Sequence, residues 1–127
     1  VISLLFWQMG VGVGPAEAQQ SDERPSVSLI VDYADGAEKR LSKIAWREGT
    51  TVLDVMEYAA KHRHGIRFTF RGKGATAFLE SIDDLRNEGG RGRNWIYAVN
   101  DKKGEQSFAL FILRPGDRVL WKFDKYP

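Results

Sequence analysis

The stretch from Arg47 to Gly65, REGTTVLDVMEYAAKHRHG, decides the fold, because no other part of the chain carries a clear helical period. Val52, Val55, Met56, Ala59 and Ala60 recur at helical spacing and make one apolar stripe. Thr51 and Asp54 stand three apart at its start, an approximate capping box with Asp in place of Glu. Lys61, His62 and Arg63 suit the negative, C-terminal end of a helix dipole. Gly65 is expected to terminate the helix.

Outward from this helix the pattern is extended on both sides. Before it, VSLIVDY (Val27 to Tyr33) puts Val27, Leu29, Val31 and Tyr33 on one face, with Ser28 and Asp32 on the other. ADG (Ala34 to Gly36) is a turn signal, and EKRLSKIAW (Glu38 to Trp46) returns as the second strand of a hairpin. After the helix, IRFTFRG (Ile66 to Gly72) alternates apolar with polar, and ATAFLESID (Ala75 to Asp83) reads as another short strand. LRNEGGRGRN (Leu85 to Asn94) is a glycine-rich loop, WIYAVN (Trp95 to Asn100) a strand and DKKG (Asp101 to Gly104) its turn. QSFALFIL (Gln106 to Leu113) is ambiguous between strand and irregular packing. RPGD (Arg114 to Asp117) is a tight turn, and RVLWKF (Arg118 to Phe123) is the last strand. In that strand Val119, Trp121 and Phe123 share an apolar face, opposite Lys122 and Asp124. A hairpin, one helix and several short strands predict an α+β, β-grasp-like domain, one helix packed on a mixed sheet, with the last strand beside the first at the sheet centre.

The ends and the composition bound the rest. A chain of 127 residues suits one domain. It opens VISLLFWQMGVGVGPAEAQQ, an apolar run followed by Ala16-Glu17-Ala18. Residues 1–18 therefore read as a secretory signal peptide, truncated at its start because Val stands first and a basic segment is missing. The apolar run is too short to span a bilayer, so no stable membrane insertion is expected after cleavage; the alternative is an uncleaved anchor. Residues 19–26 read as a polar tether and 27–127 as the domain, which is expected to be extracytoplasmic, periplasmic or secreted. The absence of cysteine rules out disulfides, thiolate metal sites and a thiol nucleophile. A net charge of +2 is too weak to argue for nucleic acid.

The runs GTTVLDVMEYAAK, GATAFLESIDDL, NWIYAVND and LRPGDRVLWKF, in that order, resemble the transcobalamin C-terminal-like domain family. The resemblance extends from about Val27 to Tyr126. It implies a β-grasp-like fold and a non-enzymatic binding role. In the vertebrate relatives, transcobalamin and intrinsic factor, this domain covers one side of cobalamin while an all-helical domain holds the other. Where the family commonly has Asn-Gly this chain has Asn100-Asp101, and Gly104 is expected to supply the positive φ of the turn.

The candidate site follows from Arg91 to Gly104. Trp95 and Tyr97 point the same way with Val99. One reading makes them core, facing Val119, Trp121 and Phe123 across a neighbouring strand. The other leaves Trp95 half-buried beside the glycine-rich loop, a stacking platform for a planar or ring-shaped ligand. Arg91 and Arg93 either clamp a carboxylate or phosphate from a mobile loop or are simply solvated. Asn100 reads first as a turn residue. Arg91, Arg93, Asn94, Trp95, Tyr97 and Asn100 are together the candidate ligand-binding rim at one end of the sheet. Catalytic and metal constellations are not expected. His62 and His64 stand two apart and do not share a helix face. Asp83 and Asp84, read as strand residues, point to opposite faces. The expectation is a binding module without a cofactor, for a small ring-shaped molecule such as a corrinoid. The alternative is a module that docks another exported protein or a surface polymer.

Overall fold

The computed structural model describes residues 24–127. The expected signal segment and residues 19–23 of the tether lie outside the described residues. The main sheet is built from β1 (Ser26–Asp32), β2 (Glu38–Ala45), β6 (Arg93–Val99), β7 (Lys102–Lys103) and β8 (Arg118–Lys125). A smaller sheet holds β3 (Phe68–Arg71), β4 (Phe78–Ile82) and β5 (Leu85–Arg86), and α1 (Val52–Lys61) links β2 to β3. The strand orders are β2-β1-β8-β6-β7 and β3-β4-β5. Thus the last strand lies beside the first, in parallel, at the centre of the five-stranded sheet. The other pairings are antiparallel. The α+β class expected from the sequence is the class observed.

Register explains the core. Val99, Tyr97 and Trp95 of β6 stand opposite Val119, Trp121 and Phe123 of β8, and Leu29 and Val31 of β1 stand opposite Val119 and Trp121. All these side chains are buried on one face of the sheet. They form one apolar cluster with Val52, Val55, Met56 and Ala59 of α1. Burying side chains of this size stabilises by roughly 1.5–3 kcal/mol each. Ala60, expected in the stripe, faces solvent instead.

The helix start is capped as expected. The Thr51 hydroxyl accepts the Asp54 amide at 3.1 Å, and the Asp54 carboxylate accepts the Thr51 amide at 2.9 Å. The next two orphan amides find partners in the ambiguous segment: Val52 and Leu53 donate to the Phe111 and Phe108 carbonyls, each at 3.1 Å. That segment is irregular, with a single bridge from Ile112 to Thr51. The regular helix stops at Lys61, before His62 and Arg63. Gly65 serves by its missing side chain, since a Cβ there would sit 1.7 Å from the Ala59 carbonyl oxygen.

Two turns differ from expectation. The strand expected over Ala75 to Asp83 is shorter, and Asp83 and Asp84 are the left-handed residues joining β4 to β5, with φ of 48° and 68°. They are not strand residues facing opposite ways, because pairing of Ile82 with Leu85 leaves just two residues to reverse the chain. Likewise the β6–β7 turn takes its positive φ from Asn100 (51°) and Asp101 (71°), not from Gly104. Gly104 is instead a close-approach position: a Cβ there would lie 2.1 Å from Cζ of Tyr97.

Candidate functional site

Strand β6 places the sequence candidates, and it does not bring them together. Alternation turns Trp95 and Tyr97 into the core, where they are 5% and 7% exposed. The Trp95 indole N–H donates to the Leu85 carbonyl at 2.8 Å, and its ring packs 5.1 Å from Phe123 and edge-on to Tyr33 at 5.7 Å. The Tyr97 hydroxyl donates to the Gln106 carbonyl, and burial raises its pKa above the ordinary tyrosine value. Trp95 is therefore a core residue rather than a half-buried platform: its indole N–H is bonded internally and its ring packs on Phe123 and Tyr33.

The glycine-rich loop is stitched down. Asn94 is buried; its carbonyl oxygen accepts the Gly89 amide at 2.9 Å and its amide donates to the Gly92 carbonyl at 3.1 Å. Asn87 accepts the Trp95 amide at 2.7 Å. Arg93 stacks 5.2 Å over the Phe123 ring and pairs with Glu88 at 3.6 Å. Arg91 is exposed. Asn100 lies at the opposite end of β6. From Arg93 to Val99 the strand advances by about 20 Å at ~3.4 Å per residue, so the loop arginines and the Asp101 to Gly104 turn cannot share one rim. The sequence reading missed this because adjacency along a strand is not adjacency in space. Asn100 itself ties down the turn, accepting the Arg118 amide at 2.9 Å and donating to Asp117 at 2.7 Å.

At the Asn100 end the structure opens a cleft of about 760 Å³. The β6–β7 turn forms one wall with Asn100, Lys102 and Lys103; the segment leading into β8 forms the other with Phe111, Ile112 and Arg114. In that segment the Phe108 and Phe111 carbonyls are held by the α1 amides, Phe108 and Leu113 are buried in the core, and the side chains between them include outward-facing ones. Ile112 is 61% exposed and Leu110, in the same segment, 45%. Asp117 accepts hydrogen bonds from the Asn100 side-chain amide and from the Arg114 backbone amide. The cleft offers the apolar surface of Phe111 and Ile112 beside Lys102, Lys103 and Arg114, with Glu105 and Asp117 as its acids. Such a wall binds through shape, apolar contact and charge. The signal for it in the sequence was Gln106 to Leu113, five large apolar residues with neither strand nor helix period.

Elsewhere, Asp83 joins the two sheets. Its carboxylate accepts hydrogen bonds from the Tyr33 hydroxyl, from Lys39 Nζ at 3.0 Å and from the Arg67 amide at 2.9 Å. Burial alone would raise the Asp83 pKa, but the hydrogen bonds from Tyr33, Arg67 and Lys39 outweigh it and hold the carboxyl below its ordinary value. Tyr33 is raised by burial and then by the Asp83 acceptor and its charge. Each polar group of this cluster has a partner, Lys39 also bonding the Gly65 carbonyl at 2.9 Å, so the cluster acts as a clip between the two sheets. His62 caps the helix end, its amide bonded to the Ala59 carbonyl at 3.3 Å. Among the described residues no group of three or more His, Asp or Glu is placed to hold a metal ion.

This architecture is an α+β domain with a transcobalamin-like fold. It superimposes on haptocorrin, solved in complex with Cbi, with a TM-score of 0.67 and 20% identity over 81% of this chain and 25% of that one. A protein of Ruminococcus gnavus ATCC 29149, described as a candidate for metal binding, matches with a TM-score of 0.64 and 11% identity, over 83% of this chain and all of its own. The chain belongs to the family described as Domain of unknown function (DUF4430), whose match covers residues 49–125. It spans a quarter of the haptocorrin chain. No curated protein matches it. At these identities the two structures speak for the fold alone.

Proposed function

We propose that this β-grasp-like domain is an exported, non-enzymatic binding module. Its ligand is a small ring-shaped molecule such as a corrinoid, held against the cleft between the β6–β7 turn and the segment before β8. The observation that carries this reading is the exposure of Ile112 on the wall of a roughly 760 Å³ cleft whose backbone is held rigidly by the Asn100–Asp117 bond. Exposed apolar groups on a fixed wall lose little entropy on binding. The reading is supported by the related fold found within haptocorrin, a protein solved in complex with Cbi. Recognition here requires no catalytic group and no nucleic acid.

The test is an equilibrium titration of cobalamin against the wild type and Ile112→Asp. Ile112 is mostly solvent-exposed, so its replacement leaves the fold standing. Saturable binding weakened at least tenfold by Ile112→Asp supports the reading. Saturable binding indifferent to the substitution moves the site elsewhere. Absence of binding removes corrinoids and favours the second reading, a module docking an exported protein or surface polymer through Leu110 and Ile112, both prominent on the surface.

A further inference from the structure

The chain enters the described fold beside the cleft. The Ser26 carbonyl accepts the Gly116 amide at 2.7 Å, and the Ser28 amide donates to the Asp117 carbonyl at 3.1 Å. Trp46 fixes the same corner, its amide donating to the Pro25 carbonyl at 3.1 Å and its indole to the Leu113 carbonyl at 2.8 Å. Arg114 and Asp117, at the two ends of the turn that holds Ser26, both line the cleft. The segment before Arg24 is therefore attached at the cleft's edge.

That segment matches the cleft in chemistry. Residues 1–23 carry the apolar side chains of Ile2, Leu4, Leu5, Phe6 and Trp7, then the acids Glu17, Asp22 and Glu23, and no basic residue. The cleft presents Phe111 and the mostly exposed Ile112 as apolar wall, with exposed Leu110 beside it. Its cations Lys102, Lys103 and Arg114 form no ion pair among the described residues. Of its two acids, Asp117 is buried and hydrogen-bonded, which leaves Glu105 as the exposed one. Order along the chain agrees as well, since the acids lie nearer the attachment point and Arg114 lies nearer it than Ile112 does in the turn. Reach does not limit the contact: from Trp7 to Arg24 an extended chain covers roughly 55 Å at ~3.3 Å per residue. A tethered partner also acts at an effective concentration on the order of millimolar, so modest apolar contact and opposite charge suffice to populate it.

We propose that the uncleaved chain covers its own cleft. Ile2, Leu4, Leu5, Phe6 and Trp7 supply the apolar surface that seats on Phe111 and Ile112, and Glu17, Asp22 and Glu23 meet Lys102, Lys103 and Arg114. Cleavage after Ala18 removes the whole apolar run and one of the three acids, and so opens the cleft. That the opened cleft takes a ligand rests on the function proposed above; the contact itself does not.

The test uses the full chain. It has no cysteine, so Gln8→Cys carries a single nitroxide label. In ¹H–¹⁵N spectra the amides of Lys102, Lys103, Ile112 and Arg114 are expected to lose at least roughly half their intensity, to recover it when the nitroxide is reduced, and to keep it when Leu4→Asp and Phe6→Asp are added. Arg91 and Arg93, about 20 Å away along β6, are expected to keep theirs. Uniform loss, loss centred on the Arg91 to Asn94 loop, or no loss overturns the proposal. So does equal loss in a mixture where the label sits on one copy and the ¹⁵N on another, because the contact then lies between chains. In a parallel cobalamin titration, Leu4→Asp with Phe6→Asp is expected to raise affinity about 2- to 10-fold, as for a cleft covered about 50–90% of the time. Unchanged affinity at the cleft overturns the covering. Absence of cobalamin binding by either protein removes the ligand reading alone, and the nitroxide result then decides the contact.

Discussion

Asn100 and Asp117 meet side chain to side chain, Nδ2 to Oδ1 at 2.7 Å, although they are seventeen positions apart. The bond joins the β6–β7 turn to the turn that begins β8, so both walls of the cleft are fixed to each other. Asp117 is buried, and its other oxygen accepts the Arg114 amide at 2.8 Å. Asn100→Ala would strand a buried carboxylate oxygen and is expected to cost about 1–3 kcal/mol. Urea unfolding of the two proteins checks this; a loss below ~0.5 kcal/mol would mean that the bond contributes little to the turn.

The same turn carries a correctable strain. Asp101 holds φ at 71°, the position where a two-residue hairpin turn favours glycine. Its ion pair with Arg118, 3.4 Å long and well exposed, adds little. Asp101→Gly is expected to stabilise the domain by about 0.5 kcal/mol, relief of the left-handed strain exceeding the added chain entropy. A lower denaturation midpoint in the variant would show that the Arg118 pair outweighs the strain.

Gly104 has an ordinary φ, so its substitution tests sterics alone. The Cβ of Gly104→Ala would lie 2.1, 2.3 and 2.5 Å from Cζ, Cε2 and Oη of Tyr97. Tyr97 is fixed between Phe111 and Trp121 and bonded to Gln106. The expected cost is roughly 1–3 kcal/mol, as for overpacking in a core. Gly89→Ala is a useful contrast: a Cβ there meets nothing within 4 Å, and its penalty comes from a φ of +86° instead. Near-neutral behaviour of Gly104→Ala would mean that the Tyr97 ring moves freely.

The Tyr33–Asp83–Lys39 clip predicts two limbs in a stability–pH profile. Asp83 has its pKa lowered in the folded state, so its stabilisation is complete above the ordinary value of 3.8 and is lost as pH falls through the lower folded value. Tyr33 has its pKa raised, so its stabilisation is complete below the ordinary value of 10.0 and fades as pH climbs beyond it. Thermal melts across pH should show Asp83→Asn with a shallower acid limb and Tyr33→Phe with a shallower alkaline limb. Profiles parallel to the wild type would detach these groups from the pH response.

Much of the fold was legible because local chemistry and packing agree. The capping box at Thr51 and Asp54, the alternation in Val27 to Tyr33 and the apolar face of Val119, Trp121 and Phe123 are each seen as read. The core reading of Trp95 and Tyr97 is also the one observed, and Trp95→Ala is accordingly a core truncation, costing about 3–5 kcal/mol. The site was less legible. Arg91, Arg93 and Asn94 fall at one end of β6 and Asn100 at the other, a separation that only the completed strand reveals. One wall of the cleft draws on Gln106 to Leu113, a segment tied to donors on α1 rather than ordered by its own periodicity. A segment ordered by distant partners leaves no local pattern to read.

The most direct test of the binding account is a ¹H–¹⁵N titration of the full chain with cobalamin, assigned residue by residue. The account predicts saturable shifts concentrated at Asn100, Lys102, Lys103, Phe111, Ile112 and Arg114, with Arg91 and Arg93 undisturbed. Shifts centred on the Arg91 to Asn94 loop, or none at saturating ligand, would contradict it.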